Sequence, residues 1–182
     1  MWVAKKGRRY LNFLLTYQMS EYRTETEKML FSLPLAGSAF RKVYYDPNLE
    51  RPASIFVPAE DVVVNYGASD LETCQRATHV MHKSSNEVRK MQVAGIYRDV
   101  ELIKQDTEID EVRQKVDELQ GTQKTYSDDI FTILEMHVDL NLEDFEVEQP
   151  GKTIKVPYIV TIDEGSQDVL YIYRNYGPED PT

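Results

Sequence analysis

Cysteine, histidine and tryptophan are scarce in this 182-residue chain, which has one Cys, three His and one Trp. A lone Cys74 excludes an internal disulfide, so the fold rests on packing, which suits a reducing cytosol. No signature or electropositive neighbourhood activates that thiol, and it reads as a buried, inert side chain. A zinc site needs about four clustered donors. The only soft candidates are Cys74, His79, His82 and His137. His79 and His82 stand an odd number of residues apart on a predicted strand and so face opposite ways, which makes them ordinary structural histidines. Long apolar runs are missing too: none approaches the roughly 20 residues of a spanning helix. The start, with Lys5, Lys6, Arg8 and Arg9, lacks the uninterrupted apolar block of a signal peptide. Synthesis inside the cell, with no membrane as a partner, is the expectation.

Catalytic signatures are equally thin. Gly37-Ser38-Ala39 lacks the second glycine of a nucleophile elbow, and the stretch from Gly37 to Lys42 lacks the Gly-Lys-Ser/Thr ending of a phosphate-binding loop. Glu60-Asp61 and Asp128-Asp129 are adjacent carboxylates, but neighbouring side chains on a strand diverge. With 31 acidic residues present, such pairs arise by chance. No catalytic, cofactor-binding or metal-binding residue is assigned, no cofactor is expected, and the chain reads as a non-enzyme.

What is present is a globular composition, 41% hydrophobic and 29% charged, with an uneven charge. Residues 1–98 carry 14 Lys/Arg and 10 Asp/Glu, a balance of +4. Residues 99–150 carry 4 and 16, or -12, and residues 151–182 carry 3 and 5, or -2. An acidic middle repels a phosphate backbone, which argues against tight, sequence-independent nucleic-acid binding. Twelve tyrosines supply apolar area with a polar tip, which suits a sheet boundary or a subunit interface as well as a core. Tyr44, Tyr45, Tyr171, Tyr173 and Tyr176 fall on predicted strands. Basic-aromatic interleaving is confined to Arg41-Lys42-Val43-Tyr44-Tyr45, too short for a single-strand binding track.

The patterning predicts an α+β fold: N-terminal helices, a mixed or antiparallel sheet with hairpins, and one peripheral acidic helix. In residues 1–36, Tyr10, Leu11, Leu14, Leu15, Met19, Tyr22, Met29 and Leu30 recur at roughly helical spacing. Ser20 is placed to recap a second helix, with Arg23 where a capping box has Glu, so one long helix and a broken pair both fit. Lys5-Lys6-Gly7-Arg8-Arg9 reads as a solvated helix face. Pro34 and Gly37 are expected to stop the helix.

Residues 37–106 form a first α/β portion, with a hairpin through Phe40, Val43, Tyr44 and Tyr45, a turn at Asp46-Pro47-Asn48, and a return through Ile55, Phe56 and Val57. The run Val62-Val63-Val64 suggests a strand buried on both faces. A strand over 78–82 meets a capping box, Ser84-Ser85-Asn86-Glu87, and Gly95 closes the helix that follows. Residues 107–129 read as an acidic helical excursion with a thin stripe of Ile109, Val112, Val116 and Leu119. Residues 130–176 turn to period two: Ile133, Glu135, His137 and Asp139 alternate with Leu134, Met136, Val138 and Leu140, giving one buried and one wetter face. A hairpin follows, with Asp163-Glu164-Gly165-Ser166 as its turn. Residues 177–182 are a frayed tail.

The wording of one stretch is more specific than its physics. Leu33-Pro34-Leu35-Ala36-Gly37-Ser38-Ala39-Phe40, followed by Lys42-Val43-Tyr44-Tyr45-Asp46-Pro47, resembles a region of phage portal proteins, the head-to-tail connectors of short-tailed phages and their relatives. Phe56-Val57-Pro58-Ala59-Glu60-Asp61, Tyr66, Ala68, Asp70-Leu71-Glu72-Thr73 and Thr78-His79 continue it in register. Fainter similarity runs through 89–99 and 134–175, so the resemblance covers most of the chain. It implies a structural role in a homo-oligomeric ring, dodecameric in full-length members, at one capsid vertex. That ring docks a terminase motor, contacts capsid, scaffold and tail-adaptor proteins, and lets double-stranded DNA pass without holding it. It implies residence in the virion, and in the host cytoplasm during assembly. By the same resemblance the chain corresponds to a fragment before the stem, within the wing region, and is expected not to form a stable twelve-fold ring alone. A protein-interaction adaptor and a small carboxylate-dependent hydrolase are the alternatives. Glu60-Asp61 take a structural reading, such as a loop cap or an intersubunit contact.

Overall fold

The computed structural model describes residues 2–46, 49–71, 73–102, 130–142, 147–149 and 152–175. The acidic helix expected over 107–129, with Asp128-Asp129, therefore lies outside the described residues, as do Pro47, Asn48, Tyr176 and the tail. The architecture is α+β, and the chain falls into two compact units, residues 1–62 and 63–182.

The first unit begins with helix α1 (Trp2–Phe13), passes through a π-helical turn (Leu14–Gln18) and continues as helix α2 (Glu21–Ala36). Two helices, not one, are thus formed. The π-turn is closed by the Met19 amide donating to the Leu14 carbonyl at 2.8 Å, and Met19 then leaves helical geometry at φ -94°, ψ 73°. Ser20 stands before α2 in helical conformation, and its hydroxyl makes no capping bond, contrary to the recapping role expected of it. Pro34 does not stop the helix either. It sits inside the last turn of α2, where its missing N–H forfeits only one bond near a terminus. Gly37 is the stop: it adopts φ +75°, a left-handed geometry a Cβ would oppose, and its amide donates to the Leu33 carbonyl at 2.9 Å.

Strands β1 (Ala39–Asp46) and β2 (Arg51–Pro58) then form the expected hairpin, in antiparallel register from Ala39 opposite Pro58 to Asp46 opposite Arg51. At its tip the Asp46 carboxylate accepts the Leu49 amide at 3.2 Å. A short 3₁₀ turn, Ala59–Asp61, holds the Glu60-Asp61 pair.

The second unit is built on a five-stranded antiparallel sheet in the order β3-β4-β5-β8-β9. Its strands are β3 (Val62–Val64), β4 (Arg76–Ser84), β5 (Ile130–Leu140), β8 (Val156–Asp163) and β9 (Val169–Arg174). A separate two-stranded ribbon pairs β6 (Val147–Gln149) with β7 (Lys152–Ile154). The expectation that Val62-Val63-Val64 is buried on both faces is wrong. This is a three-residue edge strand with Val63 and Val64 exposed, because an apolar run marks a strand but not how many layers cover it.

Helix α3 (Ser85–Val93) opens with the predicted capping box: the Glu87 amide donates to Ser84 Oγ at 3.3 Å, and the Ser84 amide donates to Glu87 Oε2 at 2.8 Å. It closes as a Schellman motif around Gly95 at φ +72°, with the Gly95 amide on the Gln92 carbonyl and the Ile96 amide on the Met91 carbonyl. Met91 and Ile96 both pack on the first core cluster, the hydrophobic contact such a motif favours.

That cluster joins Val88 of α3, Tyr97, Phe131 and Ile133 of β5, and Leu170 of β9. A second cluster holds Val156, Tyr158 and Val160 of β8 with Met136, Val138 and Leu140 packed against it. Since Ile133 and Met136 point to opposite faces of β5, both faces carry core. The expected single buried face is therefore too simple: the Ile133 face is dry at one end and becomes wetter only from Glu135 onward.

Candidate functional site

The structure does not gather the candidate metal ligands. His79 stands opposite Glu135 and His82 opposite Thr132, so the two histidines face opposite ways, as their spacing predicted. His137 stands opposite Ala77, two residue pairs along from His79 and on the same face, with its Nε2 3.4 Å from Glu135 Oε1. Cys74 is a half-buried free thiol outside any strand. Among the described residues no group of three or more His, Cys, Asp or Glu side chains could hold a metal ion. Gly37-Ser38-Ala39 is a helix stop running into β1, and Glu60-Asp61 belong to the 3₁₀ turn.

Two features of the geometry remain. The first is polar. Helix α2 rests on the hairpin largely through charged and hydroxyl groups, a face the sequence reading missed. The Arg51 guanidinium clamps Glu21 with two bonds, Nη1 to Oε1 at 2.6 Å and Nη2 to Oε2 at 2.9 Å. Four residues on, Glu25 Oε2 accepts the Phe56 amide of β2 at 2.8 Å. Arg41 donates from Nη2 to Thr26 Oγ1 at 2.6 Å and lies 4.6 Å from the centroid of the Tyr22 ring, a cation-π contact. Glu21, Tyr22, Glu25 and Thr26 are spaced one, three and four apart on one helix face, the signal that could have located the contact. Arg51's hydrogen bond is the main reason the Glu21 carboxyl is held below the usual carboxylate range.

The second feature is apolar. In the first unit Tyr10, Phe13, Tyr17, Phe31, Leu35, Val43 and Tyr45 are all exposed, including the stacked pair Phe13 and Tyr17 at 5.7 Å. Of the predicted N-terminal stripe only Leu14 and Met19 are buried. In the second unit an open groove of about 540 Å³ is lined by Gly95, Ile96, Tyr97 and Arg98 on one side and Val169, Leu170, Tyr171 and Ile172 on the other. The Arg98 amide donates to the Leu170 carbonyl at 2.9 Å, which ties the segment after α3 to β9. Arg98 also donates from Nη1 to the Val169 carbonyl at 3.3 Å, so the one cation among the described residues of the groove is engaged with backbone. Burial, with a smaller contribution from the Glu135 charge, pushes the Tyr97 hydroxyl up to about 12. The groove offers apolar area and aromatic edges; among the described residues its lining holds no carboxylate, histidine or cysteine.

No protein-family model matches the chain, and a search of curated proteins found no match. Among the described residues no helix is long and apolar enough to cross a membrane.

Proposed function

We propose that this chain is a structural, non-catalytic component of a phage portal ring, contributing to the wing of the subunit, and that it works by contact with protein neighbours. The reading is carried by one observation: the portal-like wording of residues 33–61 coincides with one continuous piece of local structure. That piece is a helix end, a left-handed glycine and a hairpin of two eight-residue strands, with Val43 and Tyr45 facing solvent. Exposed large apolar groups at this density suit surfaces that neighbouring subunits cover. The acidic balance of residues 99–150 suits a wall past which DNA slides without being held. Ring partners, motor docking and residence in the virion belong to the same proposal.

The test is negative-stain imaging and light scattering of the product of the natural reading frame that carries this sequence. Closed rings with a central hole are expected; a uniformly monomeric product overturns the reading. The adaptor alternative predicts a monomer that captures a defined protein through the groove beside β9, and the same experiment separates the two.

A further inference from the structure

The two edges of the hairpin in the first unit are finished differently. On β2 the outer edge is closed. The Phe56 amide donates to Glu25 Oε2 of α2 at 2.8 Å and so points away from β1, which makes Phe56 and Arg41 a non-hydrogen-bonded pair and Pro52, Ser54, Phe56 and Pro58 the outward residues of β2. Pro52 and Pro58 have no N–H to offer there, and the Pro52 carbonyl accepts Arg51 Nη1 at 3.2 Å. Little is left for another strand to pair with.

The outer edge of β1 is open. By the same alternation Arg41, Val43 and Tyr45 turn their amides and carbonyls away from β2. Among the described residues no backbone hydrogen bond reaches those groups. The strand contains no proline, and its register runs without a bulge from Ala39 to Asp46. Val43 and Tyr45 are 68% and 63% exposed. An edge of this kind is a template for another strand, and a two-stranded ribbon is the sheet that gains most from one.

We propose that β1 pairs with β1 of a second copy of this chain, antiparallel across a two-fold axis at Val43, so that the two hairpins form a single sheet in the order β2, β1, β1, β2. In that register Val43 stands opposite the partner's Val43 and Arg41 opposite the partner's Tyr45, and the strands exchange about six backbone hydrogen bonds. Lys42 falls opposite the partner's Tyr44, the kind of ring it already overhangs at 5.5 Å within its own strand. An axis at Lys42 would set the two lysines against each other. An axis at Tyr44 would shorten the ladder to about four bonds, because the strand ends at Asp46. Charge does not oppose the approach: residues 1–62 carry 9 Lys/Arg and 7 Asp/Glu, a balance of +2, so the net -10 of the chain lies in the other unit. A two-fold contact joins two chains or two assemblies and is not the head-to-tail contact between neighbours in one ring. The inference therefore goes beyond the proposed function and does not rest on it.

Sedimentation velocity of the full chain, over a concentration series reaching about 1 mM, tests it, since a strand-edge contact is smaller than a standard stable interface. A reversible equilibrium between monomer and dimer is expected. Val43→Pro removes the central outward amide at a position that bonds nothing within the hairpin, and should weaken the dimer about thirtyfold through the two hydrogen bonds lost across the axis. Because residue 43 meets itself, Val43→Lys and Val43→Glu should each be monomeric over the same range, and an equimolar mixture of the two should recover the dimer. That recovery also shows both variants to be folded. A wild-type chain that stays monomeric overturns the inference, as does a dimer unchanged in Val43→Pro or in both charged variants, or a mixture that stays monomeric. Association that grows past the dimer and is abolished by Val43→Pro overturns the two-fold axis in favour of head-to-tail pairing. Failure of the portal reading shows separately, as the absence of rings from the natural reading frame.

Discussion

Replacing Ile133 by Ala should destabilise the second unit. Ile133 is fully buried in β5, packed with Val88 of α3, Tyr97, Phe131 and Leu170. The change removes three carbons, at about 0.8 kcal/mol each, or about 2.4 kcal/mol of transfer free energy. A void of roughly 70 Å³, at about 24 cal/mol per Å³, adds about 1.7 kcal/mol. Together these give about 4 kcal/mol, a large share of the 5–15 kcal/mol that holds a typical domain. Ile133→Val, which removes one carbon, should cost only about 1 kcal/mol. Urea unfolding followed by far-UV circular dichroism and by tyrosine absorbance reads both. The midpoint of the transition that includes residues 63–182 should fall, with its slope unchanged. A loss below about 1 kcal/mol for the Ala variant, or equal losses for Ala and Val, would refute Ile133 as the centre of this core.

Four further outcomes follow from the contacts. Ser84→Ala should cost about 1 kcal/mol in thermal unfolding, since it strips the Glu87 amide of its acceptor. The capping-box bonds from Ser84 hold the Glu87 carboxyl below its usual range; a depressed folded-state value adds stability that is complete above pH about 4.3 and lost as pH falls below it, so wild type should lose more between pH 5 and 3 than Glu87→Gln does. Tyr97 should ionise near pH 12 in an absorbance titration, a step absent from Tyr97→Phe. Its raised value means stability present below pH about 10 and lost as pH rises from there, which Tyr97→Phe should abolish. Arg51→Lys keeps the charge but not the two-pronged grip on Glu21, so it should lower the melting temperature of the first unit. Combined with Glu21→Gln it should cost less than the two single changes added, and strict additivity would show the pair to be unconnected.

The local elements were largely legible. The hairpin of residues 39–58, the capping box at Ser84 and Glu87, the glycine stop at Gly95 and the final hairpin all follow from short-range rules, because caps, turns and strand alternation are settled within a few residues. In that final turn Asp163 does more than its letter suggests: it is buried, and its Oδ2 accepts the Ser166 amide at 2.8 Å. Of the candidate sites, the sequence made legible the opposed faces of His79 and His82, but not the polar contact of α2 with its hairpin or the groove beside β9. The misses share a cause. Pro34 looked like a stop because a proline usually is one, but its cost depends on its distance from the helix end. Val62-Val63-Val64 looked doubly buried because the letters cannot say where a strand stands in its sheet.

By itself the sequence determined the α+β class, the hairpins, the capping box of α3, the glycine stops at Gly37 and Gly95 and the opposed directions of His79 and His82, all consequences of backbone geometry and nearest neighbours. It also determined the charge asymmetry between the start of the chain and its middle. Only the tertiary structure decided that α2 meets its hairpin through Glu21, Glu25, Thr26 and Arg41. Only it decided that β5 carries core on both faces, and that Lys5, Arg8, Arg9, Tyr10 and Phe13 of α1 are exposed. Those outcomes depend on which distant segments come together. That choice is made by the burial of the whole chain at once, so no window of neighbouring residues contains it.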